Sequence, residues 1–198
     1  MAFSMIFAAD VVPTKSNVEA FCEGKMETII DDGIFSYWKD ADFRFLNLEV
    51  SLTDVETPIK KCGPALIAPT ASVKGYKQLD PTLLGLCNNH ILDQDEAGLA
   101  DTIRTLEENG IAYTGVGENV KTAWKPYIYE KDGKKIGIYS CAEHEFTLAT
   151  DTRAGANPFE PLDSLDHIAD LKKECDYVIV VYHGGKEHYR YPSPRLKK

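Results

Sequence analysis

Apolar residues fall into short, nearly unbroken runs along this 198-residue chain, and each run gives way to a polar cluster. The first run, 3–9, is apolar apart from Ser4 and has the pattern of a strand buried on both faces. A polar, proline-containing loop over 10–17 follows, and 18–30 reads as a helix with Asn17 as its N-cap. A second strand over 43–46 ends in Asn47-Leu48-Glu49. The stretch 51–69 holds three prolines and little periodicity, so it reads as a long surface loop, functional or flexible. A third buried strand, 83–87, ends in Asn88-Asn89-His90. Leu99, Ile103 and Leu106 then recur at helical spacing, and Asn109-Gly110 closes that helix. A short strand at 112–114 precedes Gly115-Val116-Gly117. Asp132-Gly133 marks a hairpin turn whose second strand covers 136–140. Leu165, Ile168 and Leu171 space a helix over 163–174, and the β-branched run 177–182 is a strand stopping at His183-Gly184-Gly185.

Strands alternating with helices predict an α/β fold: a layered, mostly parallel sheet with helices on both faces. No repeat, low-complexity segment or break in composition divides it, so 1–198 reads as a single domain. The strand 177–182 looks central by its apolarity, yet no covering helix follows it. The domain is therefore expected to be incomplete at its C-terminus, leaving apolar surface through which copies could self-associate.

Composition narrows the function classes. A formal net charge of −9 excludes nonspecific nucleic-acid binding, which needs basic patches to displace phosphate counterions. The five cysteines have no C-x-x-C spacing and an odd count, which excludes a disulfide framework. Cys87 and Cys141, set among apolar residues, read as buried thiols. Reduced cysteines, no apolar membrane span and no signal-like start together predict a cytoplasmic protein.

The chemistry sits where the strands stop. Asp10, Asn47 with Glu49, Asn89 with His90, and His183 each follow an apolar run. In open parallel sheets the carboxyl ends of strands gather along one edge, so residues distant in sequence can converge there. Oxygen donors mixed with imidazole suit Mn²⁺, Fe²⁺ or Zn²⁺ better than Ca²⁺. Any of these residues alone has an ordinary explanation as a turn former or a solvated charge, but four at successive strand ends point to a shared polar site. Other motifs fail. Asp93 to Gly98 imitates a calcium loop but has Ala97 at its fifth position, and Gly115-Val116-Gly117 lacks the third glycine of a dinucleotide fingerprint.

Together these segments resemble the CapA family of poly-γ-glutamate capsule biosynthesis, whose fold is similar to calcineurin-like metallophosphoesterases. The resemblance runs from about Met5 to about Tyr189. It rests on Ala9-Asp10, Asn47-Leu48-Glu49, Asn88-Asn89-His90 with Asp93, Tyr113 to Gly117 with Asn119, and His183-Gly184-Gly185-Lys186-Glu187. It implies that Asp10, Glu49, Asn89 and His183 are metal ligands and that His90 donates a proton to the leaving group. Asn47, Asp93 and Glu187 would be supporting residues. The family pattern has Gly-Asp where Ala9-Asp10 stands, and it continues beyond this chain to a Gly-His-x-His-like element with further ligands. The resemblance thus implies divalent metal ions, dinuclear in the complete protein. It also implies a substrate that is a small phosphoester or an anionic polymer such as polyglutamate. A metal-dependent hydrolase and a weakly catalytic, polymer-binding component of capsule synthesis or export are both consistent with it.

Overall fold

The computed structural model describes residues 3–143, 146–186, 188–194 and 197. From β1 (Met5–Val11) the chain passes through α1 (Val18–Glu23) and α2 (Asp32–Lys39) to β2 (Phe43–Leu48). The short strands β3 (Ser51–Leu52) and β4 (Ile67–Ala68) pair at the two ends of a long loop, and α3 (Val73–Leu79) leads to β5 (Leu83–Gly85). Next come α4 (Asp95–Glu108), β6 (Tyr113–Thr114), β7 (Val116–Gly117) and α5 (Val120–Ala123). The hairpin β8 (Tyr127–Lys131) and β9 (Lys134–Ala142), β10 (Gly155–Ala156), α6 (Asp163–Glu174) and β11 (Tyr177–His183) complete the order.

The fold is a mixed, layered α/β structure whose strands are mostly parallel. β3 with β4 and β7 with β10 make separate two-stranded pairs, and the other seven strands form two main sheets. One has the order β1-β2-β5-β6, parallel throughout; the other has the order β11-β9-β8, with β9 and β11 parallel and the hairpin antiparallel. The sheets pack face to face. Phe43, Phe45 and Leu83 of the first meet Ile136 and Ile138 of the second, with Ile179 and Val181 of β11 against them. Helices cover the outer faces. Phe21, Trp38, Tyr76 and Leu99 pack with Leu46 and Leu84 on one side, and Leu171 packs on Tyr139 and Cys141 on the other. Each such side chain removed fully from water contributes about 1.5–3 kcal/mol, so the inter-sheet layer and the two helical layers hold the strands in fixed register.

Strand alternation explains where polarity appears. Phe43, Phe45 and Asn47 share one face of β2, and Ile179, Val181 and His183 share one face of β11. Both series point into the sandwich and turn polar at the carboxyl end. β1 reaches the same result by a different route. Phe7 pairs with Phe45 but Asp10 pairs with Asn47, so β1 carries one extra residue there. That bulge moves Asp10 from the helix-covered face to the inner face.

Several expectations are corrected. The helix expected over 18–30 stops at Glu23, because Gly24 takes the left-handed conformation (φ 68°) and its N–H bonds back to Phe21, while Lys25 bonds to Ala20. A short 3₁₀ turn, Met26–Thr28, and then α2 follow, the latter capped by Asp31, which accepts from the N–H groups of Gly33 and Ile34. The stretch 51–69 contains β3 and β4, and its middle is folded inward onto the 93–94 turn. Among the described residues β11 pairs with β9, at one edge of its sheet. The Asp132-Gly133 turn is as expected, with both residues at positive φ (52° and 72°) as a tight hairpin requires. No helix among the described residues is long and apolar enough to cross a membrane.

Candidate metal centre

His183, the last residue of β11, stands at the centre of the cluster. Its Nε2 lies 2.7 Å from Asn89 Oδ1 and 3.3 Å from Glu49 Oε1, and its Nδ1 lies 3.8 Å from Asp10 Oδ1. Asp10, Glu49 and His183 each offer a ligand atom, all within 4.8 Å of one another. Metal–ligand bonds are about 2 Å, so donors sharing one ion lie within roughly 4 Å of each other, and small side-chain movements suffice here. Two carboxylates, an imidazole and an amide oxygen form a chemically coherent donor set for a first-row divalent cation. These four residues, with His90, line an open cavity of about 340 Å³ whose rim includes Lys186 and His188.

The surrounding hydrogen bonds fix the donors. Asn47 donates its Nδ2 to Asp10 Oδ1 at 2.6 Å, and the same nitrogen lies 3.4 Å from His183 Nδ1. Its Oδ1 accepts from Asn88 Nδ2 at 3.2 Å. Asn47 therefore presents its amino group to the carboxylate and turns its oxygen towards Asn88. It orients Asp10. Asn88 is fully buried and is fixed in turn by donation to Leu48 O (2.8 Å) and acceptance from the His90 N–H (3.0 Å). One buried amide thus ties the end of β2 to the segment carrying Asn89 and His90.

His90 Nδ1 lies 2.6 Å from Asp93 Oδ2, which assigns the ring proton to Nδ1 and leaves Nε2 as the nitrogen available to a substrate. Asp93 is fully buried, and its Oδ2 also accepts from the Leu66 N–H at 2.6 Å. Its Oδ1 is paired with Lys61 Nζ. A second cavity of about 340 Å³ lies between the sheets behind Asp10, Asn47 and His183, with Cys87 and Ser140 in its wall. Burial, and then the neighbouring Cys141, push the Cys87 thiol well above its ordinary value, and it donates to Asn157 O at 3.3 Å. A thiol so held is not a metal ligand.

The structure thus brings together Asp10, Asn47, Glu49, Asn89 and His183, and sets His90 with Asp93 beside them. Glu187 lies outside the described residues. Two residues escaped the sequence reading. Asn88 read as a turn former, although two consecutive asparagines after a buried strand leave one of them pointing inward. Lys61 read as part of a surface loop, and nothing in its neighbours signals burial.

The family model of the bacterial capsule synthesis protein PGA_cap matches residues 4–198. The capsule biosynthesis protein CapA of Bacillus anthracis is 34% identical over 137 residues, which is 66% of this chain and 33% of that protein. The PGA biosynthesis protein CapA of Bacillus subtilis (strain 168) is 29% identical over 131 residues, 64% of this chain and 34% of that protein. The chain therefore spans about a third of the length of these curated relatives. A solved phosphatase of Mycoplasma pneumoniae aligns over 94% of this chain and 57% of that chain, at 18% identity and a TM-score of 0.49.

Proposed function

The chain belongs to the bacterial capsule synthesis protein family PGA_cap, and from that premise we propose that it is a metal-dependent hydrolase of phosphate esters or a related bond. The observation that carries this reading is the convergence of Asp10, Glu49 and His183, with ligand atoms within 4.8 Å, beside a histidine already held by a buried carboxylate. Asp10, Glu49, Asn89 and His183 would hold Mn²⁺, Fe²⁺ or Zn²⁺. Such an ion supplies charge neutralisation for the ester oxygens and acidifies bound water. The chain's own residues do the rest. Asn47 keeps Asp10 turned into the sandwich. Asp93 keeps His90 in the tautomer whose Nε2 faces outward, so a protonated His90 can deliver its Nε2 proton to the departing oxygen. The two carboxylates at the cavity leave an anionic substrate dependent on the bound cation for attraction.

A second reading is kept because both relatives carry names referring to capsule or PGA biosynthesis. In it the same site binds an anionic polymer such as poly-γ-glutamate through the metal, with little or no turnover. One experiment separates the two. Purified protein with Mn²⁺ is assayed against an alkyl phosphodiester, whose poor leaving group needs a proton, alongside His90→Ala. Metal-dependent hydrolysis lost in His90→Ala, with Mn²⁺ binding retained, supports the hydrolase. Polyglutamate binding that needs Mn²⁺ but not His90, with no hydrolysis, supports the binding component.

A further inference from the structure

Lys61 is the buried charge that the proposed chemistry does not use. Its side chain is only 4% exposed and comes from the middle of the 53–66 loop, 32 residues before the aspartate it meets. It pairs with Asp93 Oδ1, and its Nζ lies 3.3 Å from His90 Nδ1. The loop around it is fastened to the same turn. The Ile59 N–H donates to Asp93 O at 3.0 Å, the Thr57 N–H donates to Gln94 Oε1 at 2.8 Å, and Gln94 Nε2 donates to Leu66 O at 3.2 Å. Burying an ammonium and a carboxylate is unfavourable unless each is satisfied by the other and by hydrogen bonds. A polar loop gains little from carrying a lysine inward for packing alone.

We propose that Lys61 is a positioning residue of the site, occupying Asp93 Oδ1 so that Oδ2 is committed to the His90 Nδ1–H and the Leu66 N–H. The carboxylate has two oxygens and three side-chain or main-chain donors around it. With Lys61 in place, its rotation is fixed by contacts on both sides. Without Lys61, Oδ1 is a buried acceptor with no donor, and the carboxylate must tilt or draw in water to satisfy it. Either change moves the oxygen on which the His90 ring rests. The 53–66 loop therefore belongs to the site, although none of its side chains lines the metal cavity.

The test reads the ring directly. In protein carrying ¹⁵N-labelled histidine, the His90 Nδ1–H resonance is assigned by its absence from His90→Gln. Lys61→Met should shift that resonance and speed its exchange with water by roughly fivefold to tenfold, the equilibrium worth of one hydrogen bond. Lys61→Arg, which restores a donor, should return it towards the wild-type position. An unchanged shift and exchange rate in Lys61→Met would overturn the proposal. If Lys61→Met does not fold, Lys61→Ala, which also removes the donor but leaves room for water, takes its place with the same two outcomes. A kinetic arm rests on the hydrolase reading: Lys61→Met should slow alkyl phosphoesters more than nitrophenyl ones, because only the poorer leaving group needs the His90 proton. Equal slowing of both would count against it. Absence of any hydrolysis by the wild type would refute the hydrolase reading and leave the resonance to decide on Lys61.

Discussion

Replacing Asn88 by alanine tests whether one buried amide organises the metal centre. Its side chain makes three hydrogen bonds, to Leu48 O at 2.8 Å, to Asn47 Oδ1 at 3.2 Å and from the His90 N–H at 3.0 Å. At about 1 kcal/mol net for each bond, the variant should lose about 3 kcal/mol of stability. One of the abandoned partners, the His90 N–H, belongs to a residue lining the cavity, and water entering there would lower the loss towards about 2 kcal/mol. The functional consequence is separate. Without Asn88, the Asn47 oxygen loses the donor that fixes the amide in the orientation that donates to Asp10, and metal affinity should fall by about tenfold or more, as when other orienting partners of ligands are removed. Urea unfolding in EDTA measures the first quantity and titration calorimetry with Mn²⁺ the second. Leu171→Ala is the control, since Leu171 is buried on the outer face of the second sheet, away from the site. It should cost a similar 2–5 kcal/mol and leave affinity unchanged. The reasoning fails if Asn88→Ala loses less than about 1 kcal/mol, or if its affinity matches that of Leu171→Ala.

Three further outcomes are expected. A methyl group at Gly137 would stand 2.7 Å from Leu171 Cγ and Cδ2, so Gly137→Ala should cost about 1–3 kcal/mol, and combining it with Leu171→Ala should cost clearly less than the sum; additive losses in urea unfolding would exclude that contact. Asp176 is held below the ordinary carboxylate range by its Lys134 hydrogen bond (2.7 Å) and then by the Lys135 N–H (2.9 Å). Its native value is the lower one, so the unfolded state binds more protons and the stabilisation, present above about pH 4, is lost as pH falls through the native value. Asp176→Asn should therefore melt below wild type at pH 7 and converge with it in acid. Of the five cysteines, Cys62 is exposed, Cys22 is half-buried, and burial pushes the Cys141 thiol up to about 12. A thiol reagent should react quickly with Cys62 alone in native protein and with all five under denaturant; fast native reaction of Cys87 or Cys141 would contradict the burial described.

Much of the site was legible because apolar strands announce their own ends. The alternation of Ile179, Val181 and His183, like that of Phe43, Phe45 and Asn47, places the polar residue on the same face as the core residues before it. Helices were less legible. Val18 onwards carried a periodic pattern through Gly24, and a single left-handed residue ended it. α3 has Val73, Tyr76 and Leu79 on its buried side, but a helix of seven residues is too short for periodicity to stand out. Lys61 was invisible for a different reason: what buries it is an aspartate 32 residues away, and no local pattern encodes such a pairing. The division of the strands into two sheets was also hidden, since parallel strands read alike whichever sheet they join.

The extra residue between Phe7 and Asp10 has a consequence for how this chain can vary in length. Side chains alternate with a period of two, so one inserted residue is a half-period shift of phase. β1 thus spells its core and its carboxylate in different reading frames, and the junction is only Ala8-Ala9. Deleting one of these alanines would remove the bulge and leave Asp10 in the frame of Phe7, still opposite Asn47 and still facing inward. Deleting both would put Asp10 directly after Phe7, one pair short of Asn47 and in the frame of Ile6, aimed at the apolar cavity bounded by Phe21, Trp38 and Leu46. Neither substitution of the alanines nor exchange of the apolar residues before them carries that hazard. The first strand is therefore free in composition and can shed its one extra residue but not a second, with the register of a single carboxylate setting the limit.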